Sequence, residues 1–196
     1  MVLMRDSAST FILKWAGANG VGGLIGAVLF VPFLSSDEPT HKAIAGVAIG
    51  VSFGIGQWLV VRRYLDRAAW WIVATVVGFG VAGALIGVGT TEELARRGLS
   101  EETVGLVIGA TAGLSQWVVL RLRSPRAAWW IPASIAAFGL GWFVSGTVDF
   151  GLDYNDPRSL ILGIGLILVP FVLISGVSLW WILGPPSRIQ PETTRT

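Results

Sequence analysis

Gln57 and Gln116 are the residues of this 196-residue chain whose type and placement most invite a chemical reading. Each lies inside a long apolar stretch, three residues beyond a run of glycines spaced by four: Gly46, Gly50 and Gly54 before Gln57, and Gly105, Gly109 and Gly113 before Gln116. On a helix this puts the carboxamide on the face of the glycine ridge. A carboxamide in an apolar interior must find partners, and interhelical hydrogen bonds of this type are worth about 0.6–2 kcal/mol. Both side chains are expected to point inward as polar glue between helices, with contact to a solute as the competing role. One residue on, Trp58 and Trp117 each precede an arginine by four residues, Arg62 and Arg121. That spacing stacks a guanidinium on an indole, about 0.5–1 kcal/mol where exposed, and leaves the cation able to meet an anionic headgroup.

Other chemistry is thin. The chain has no cysteine and one histidine, His41, read as solvated in a short loop after Pro39. Disulfides, thiolate metal sites and histidine-paired haem are thereby excluded, and no zinc or Walker pattern is present. Asp149, Asp153 and Asp156 lack the charge order of a calcium loop and read as a solvated acidic turn. Ser100-Glu101-Glu102-Thr103 reads as a helix N-cap with acids in the first turn. The spans are expected to bury no Asp, Glu, His or Arg, and Lys14 stands close to one rim; proton- and ion-coupled transporters normally need such groups. No catalytic, cofactor or metal site is predicted, and the expectation is a protein that is not an enzyme. A net charge of +2 offers no surface for nucleic acid.

The elements that hold these residues are membrane spans. Apolar residues make up 53% of the chain and charged ones 13%, too few charges for a soluble domain of this size. The charges cluster between apolar stretches of about 20 residues, the length that crosses a hydrocarbon layer. Spans are predicted near 11–34, 43–62, 68–88, 102–120, 127–147 and 159–184. Pro32 is expected to end the first, Pro170 to kink the last, and Pro185-Pro186 to stop it, leaving 185–196 as a disordered tail. Ala16-Gly17-Ala18 looks like a cleavage site, but the segment before it is short and carries Lys14, so the N-terminus is read as retained. Loops alternate in sign. Placing the basic loops inside puts ten of the 14 Lys and Arg on the cytoplasmic side, with both ends of the chain there. Nine of the ten tryptophans fall at that same end of their spans: Trp15, Trp58, Trp70, Trp71, Trp117, Trp129, Trp130, Trp180 and Trp181. The reading is a headgroup-level belt. Trp58, Arg62, Arg67, Trp70, Trp71, Trp117, Arg121, Arg126, Trp129 and Trp130 would form a cytoplasmic rim facing lipid or a partner.

Residues 43–87 align without a gap to 102–146 at an offset of 59, with 18 of 45 positions identical. The fold class is therefore all-α: a six-span helical bundle with a parallel repeat of a hairpin, because an even number of spans separates the copies. The glycine ridges let neighbouring backbones approach closely. Gly83 and Gly87 offer a matching notch on the third span. In spans one and six, Gly23-Leu24-Ile25-Gly26 echoes Ala84-Leu85-Ile86-Gly87, which raises a threefold set of hairpins without establishing it.

The repeated Gln-Trp-x-Val-x-Arg and Arg-Ala-Ala-Trp-Trp segments resemble those of a loosely defined group of uncharacterised bacterial multi-pass membrane proteins with glycine-rich spans. The resemblance covers residues 43–146 and implies a helical membrane fold, with no activity to carry over. The functional expectation is an accessory, scaffold or assembly subunit of a bacterial inner membrane. Its expected partners are the bilayer, anionic headgroups at the cytoplasmic face, and either copies of itself or a larger membrane complex. The alternative is a small-solute or ion channel or transporter, with a path between the repeats lined by Gln57, Gln116, Ser52, Thr111 and Asn19.

Overall fold

The computed structural model describes residues 7–34, 38–88, 102–147 and 157–184. Asp149, Asp153, Asp156, the Ser100-Glu101 cap and the tail 185–196 lie outside them. Within them the regular structure is helical: α1 (Ala8–Leu34), α2 (Pro39–Val61), α3 (Ala69–Val88), α4 (Glu102–Leu120), α5 (Trp130–Thr147, entered through a 3₁₀ turn at Ala127–Trp129) and α6 (Pro157–Leu183). All six are long and apolar enough to cross a membrane. The helix ends follow local chemistry. Pro39 opens α2 at the first position, where its missing N–H costs nothing. His41, expected in a loop, therefore lies exposed in the first turn of that helix. α1 continues past Pro32 to Leu34, and Pro170 sits inside α6 without ending it. Gly184 follows Leu183 with φ of +57°, the left-handed stop that glycine takes readily.

Each helix packs on the next along the chain, and α1 packs on α6, so the six close into a ring. Two stripes on each helix explain the arrangement. On α2, Val47, Val51, Ile55 and Leu59 recur every fourth residue and are exposed, and on α3 Val73, Val77, Val81 and Leu85 do the same. Such rows are unacceptable against water and are what a lipid-facing surface requires. The second stripe of α2, about 100° round the helix, is the glycine ridge. A Cβ at Gly46 would run into the Phe79 carbonyl, and one at Gly50 would stand 2.8 Å from the Val76 Cα. The second copy repeats this on α5: Gly109 would meet the Ser134 carbonyl at 2.6 Å and the Ile135 Cα at 2.7 Å, and Gly105 the Phe138 carbonyl at 2.7 Å. Gly54 and Gly113 are looser, with first backbone contacts at 3.2 and 3.3 Å. The α3 notch closes from the other side, where Gly83 faces the Lys42 carbonyl.

The last helix packs on the first, and the two carry residues in places that match those of the central hairpins. Carrying the spacing of 59 that separates Gln57 from Gln116 one step further reaches Ser175 on α6. The same step takes Val61 and Leu120 to Leu179, and all three are fully buried. α1 matches α3 with a different spacing, 56: Trp15 corresponds to Trp71 and Trp130, and Asn19 to Thr75 and Ser134, all buried. This corrects the register suggested by Gly23-Leu24-Ile25-Gly26, because Gly22, Gly23 and Gly26 take the places of Gly78, Phe79 and Ala82.

Six corresponding positions fill the middle of the ring: Gly23, Phe53, Phe79, Ala112, Phe138 and Phe171. The small residues stand opposite each other, on α1 and α4, and the four phenylalanines close across the gaps. Ring centroids lie 5.5 Å apart for Phe53–Phe79, 5.8 Å for Phe79–Phe138, 4.4 Å for Phe138–Phe171 and 6.4 Å for Phe53–Phe171. Toward the basic end the plug continues as Trp15, Trp71 and Trp130, then Val61, Leu120 and Leu179.

The glycine contacts set a ranking that thermal unfolding in detergent measures. Gly50→Ala and Gly109→Ala force backbones apart and are expected to cost about 1–3 kcal/mol each. Gly17→Ala and Gly20→Ala add a Cβ that meets nothing within 4 Å and are expected to leave the midpoint unchanged or raise it. Equal losses at all four positions would contradict the packing account.

Candidate functional site

The densest chemistry in the protein is a buried set of neutral polar groups just inside the basic end. Trp71 donates its indole N–H to Gln57 Oε1 at 2.8 Å, and Trp130 donates to Gln116 Oε1 at 2.9 Å. Both pairs are separated by 14 residues, so each spans its own hairpin. The third indole, Trp15, donates to Ser175 Oγ at 2.9 Å. The three indoles sit in one triangle, with centroids 5.9–6.5 Å apart.

The carboxamide N–H groups then tie hairpin to hairpin. Gln57 Nε2 donates to Asn19 Oδ1 at 2.8 Å. Gln116 Nε2 donates to Thr75 Oγ1 at 2.9 Å and to Gln57 Oε1 at 3.1 Å. Asn19 and Thr75 occupy corresponding places on α1 and α3, and each returns a bond to the carbonyl four residues back, Trp15 and Trp71 respectively. Ser175 does the same with Phe171. The network thus touches all six helices. Its positions are set by the glycine ridges: Gln57 follows Gly54 on the face held closely against α3, which brings its oxygen within reach of Trp71.

One position is left over. Ser134 corresponds to Asn19 and Thr75, and its Oγ is buried with no hydrogen-bond partner. The cause lies on the neighbouring helix. The donor that Gln57 and Gln116 supply to the other two is replaced by Ser175, whose short side chain is occupied with Trp15 and Phe171 and cannot span the gap.

The rim differs from its expected form. Trp71 and Trp130, assigned from sequence to a surface facing lipid or a partner, are fully buried, as is Trp15. Adjacent residues on a helix point about 100° apart, so one tryptophan of each Trp-Trp pair turns inward and its neighbour outward. Trp70 and Trp129 are the outward members, 59% and 63% exposed. Trp58 and Trp117 are half-buried, with Arg62 and Arg121 stacked over them at 5.1 and 5.2 Å. Arg126 instead lies over Trp181 on α6, at 4.9 Å. Arg67 is exposed. The two turns beneath share backbone bonds and bury matching residues, Leu65 and Ala68 in one and Ser124 and Ala127 in the other; the Ser124 hydroxyl donates to the Ile182 carbonyl at 2.8 Å.

No charged side chain is buried among the described residues, and no three His, Asp or Glu gather there. Carboxamide, indole and hydroxyl neither gain nor lose a proton near neutral pH, so the network orients helices and does not move charge. Ser52 and Thr111 bond carbonyls of their own helices, Ala48 and Val107. Sequence reasoning had placed Gln57 and Gln116 but not Thr75, which accepts from Gln116, nor Ser175, which stands where a glutamine stands elsewhere and accepts from Trp15. The signal for Ser175 was present, one further step of 59 residues, but a serine offers no identity to an alignment of glutamines.

The network makes a discriminating prediction. Thr75→Val keeps the shape but strands one N–H of Gln116, and is expected to cost about 1–3 kcal/mol. Ser134→Ala removes a hydroxyl that already lacks a partner and is expected to be neutral or stabilising. Unfolding midpoints of the two variants, measured side by side, check this; a larger loss at Ser134 would refute the assigned bonding.

No protein-family model, curated protein or solved structure matches this chain, and its chemistry is read from its own geometry.

Proposed function

We propose that the protein is a non-enzymatic scaffold or assembly subunit of a membrane complex, with both ends of the chain in the cytoplasm. It acts through helix–helix contacts and through the basic, aromatic rim. One observation carries the reading: the interior carboxamides are spent on bonds to other helices above a plug of phenylalanine rings, whereas Trp70, Trp129 and Trp181 stand exposed at the rim. Trp70, Trp129 and Trp181 sit among Arg62, Arg67, Arg121 and Arg126 at one end of the ring. Tryptophan and arginine are the residues that dominate binding energy at protein interfaces, and they also suit an anionic leaflet.

Purification in mild detergent, with identification of what accompanies the protein, tests the role. A specific partner is expected with the wild type, and Trp70→Ala combined with Trp129→Ala is expected to release it by about tenfold in affinity or more without lowering the unfolding midpoint. Recovery as a lone monomer that passes solute across liposomes would overturn the proposal in favour of transport.

Orientation has its own test, because the chain contains no cysteine. In spheroplasts, Asp66→Cys is expected to resist a membrane-impermeant maleimide until the membrane is opened, and His41→Cys to react at once. The reverse pattern would place the basic rim outside.

A further inference from the structure

The three junctions between hairpins are α1–α2, α3–α4 and α5–α6, and their inner faces correspond residue by residue. Their outer faces do not. At α1–α2 a crevice of about 400 Å³ opens to the side of the ring. Its wall is almost wholly apolar, formed on α1 by Gly17 and Val21 and on α2 by Gly56 and Leu59, with Lys14 and Arg63 lining it too. The spacing 14, 17, 21 on one helix and 56, 59, 63 on the other defines one face of each. The helices run in opposite directions, so both cations fall at the basic end and the apolar wall runs about 10 Å deeper.

The corresponding residues show how particular this junction is. Where α1 has Lys14 and Gly17, α3 has Trp70 and Val73, and α5 has Trp129 and Pro132. Where α2 has Gly56 and Arg63, α4 has Ser115 and Leu122, and α6 has Ile174 and Trp181. Two junctions thus carry apolar or aromatic groups where the first has cations, and a side chain where it has the open Gly17; Gly56 instead lets the helices close, its Cβ direction meeting the Ala18 carbonyl at 2.5 Å. The matching outer positions Val21 and Val77, or Leu59, Val118 and Val177, are exposed alike, which confirms the correspondence. Gly17 has nothing within 4 Å of where its Cβ would stand; the space in front of it is the crevice.

We propose that the α1–α2 crevice is the seat of one anionic phospholipid, its phosphate held between Lys14 and Arg63 and the upper part of one acyl chain lying along Gly17, Val21, Gly56 and Leu59. The occupant follows from the chemistry. The wall faces the bilayer, so hydrocarbon chains are its surroundings, and two cations at the headgroup end select a phosphodiester whose charge no choline or ethanolamine offsets. The inference stands independently of the scaffold role and of which leaflet the basic end meets.

The test uses the full-length protein reconstituted in vesicles of equimolar phosphatidylglycerol and phosphatidylcholine, re-extracted in mild detergent, and analysed by native mass spectrometry after stepwise delipidation. The last lipid retained is expected to be a single phosphatidylglycerol, preferred over phosphatidylcholine by about ten- to thirtyfold. Gly17→Val gives α1 the residue that α3 carries at Val73, so the fold accommodates it; it is expected to lower retention of either lipid by about tenfold. Lys14→Gln with Arg63→Gln is expected to abolish the preference while a lipid is still retained. Arg121→Gln, at another junction's rim, is expected to change neither. Unchanged retention in Gly17→Val, or loss of the preference in Arg121→Gln equal to that of the double variant, would mean that lipid merely collects around the basic rim, and would overturn the proposal. Unfolding midpoints with and without added phosphatidylglycerol give a second readout: stabilisation present in the wild type and absent in Gly17→Val is expected, and equal stabilisation of both would also overturn it.

Discussion

An indole N–H carried into a bilayer interior has no water to bond, and each one left unanswered costs far more there than at a surface. The six-helix ring is organised around three of them. Trp15, Trp71 and Trp130 pack against one another at its centre, and each N–H is met by an oxygen from the paired helix of its hairpin. The aromatic mass gives the interior its bulk, and the N–H fixes the rotation of each helix about its own axis, because a turn of one residue would bury the donor without an acceptor. Glycine makes this geometry reachable. A Gln side chain spans only a few ångströms, so α2 and α4 must lie almost in backbone contact with the helices they serve. The phenylalanine plug beyond keeps the bonds in a low dielectric, where they are strongest.

The pairing of α6 with α1 shows what the arrangement tolerates. Ser175 stands where two glutamines stand elsewhere, and it still accepts from its tryptophan. What it cannot do is donate across to the next hairpin, and the solitary Ser134 hydroxyl records that missing bond. Asn19 works in the opposite sense, since a carboxamide in place of threonine or serine offers Gln57 a longer-reaching acceptor. Volume follows the same pattern of local exchange. Gly23 and Ala112 leave gaps on opposite sides of the ring, and aromatic rings meet across both. What is kept is an acceptor for each of the three central indoles and a filled centre, and several residue types supply them.

Hydropathy and charge made the six spans legible, because the bilayer imposes a length that few other constraints mimic. The likeness of 43–87 to 102–146 was legible in the sequence itself, where tryptophans, arginines and glycines are identical at a fixed spacing. The core was only half legible. Ala-Ala-Trp-Trp presents two indoles 100° apart, and nothing in that segment says which one faces inward; the answer lies 14 residues back, in the glutamine that accepts its proton. The likeness of α1 and α6 to the central hairpins was hidden by order and by register. The two helices stand at opposite ends of the chain, and α1 matches at 56 residues while α6 matches at 59, so no single offset aligns both.

The energetics of the network bear on what such a ring can do. Six of its bonds join different helices. At about 0.6 kcal/mol each, the typical measured worth of such bonds in membranes, parting the helices through this layer costs about 4 kcal/mol before any packing is lost, which leaves about one molecule in a thousand open. A path through the centre must also separate the four phenylalanines and the indole triangle, and it offers a passing solute no charged group among the described buried residues. The outer surface faces no such barrier. Lipid-facing rows, exposed tryptophans and the α1–α2 crevice are reached without opening anything. Contacts made there leave the indole triangle and the phenylalanine layer closed.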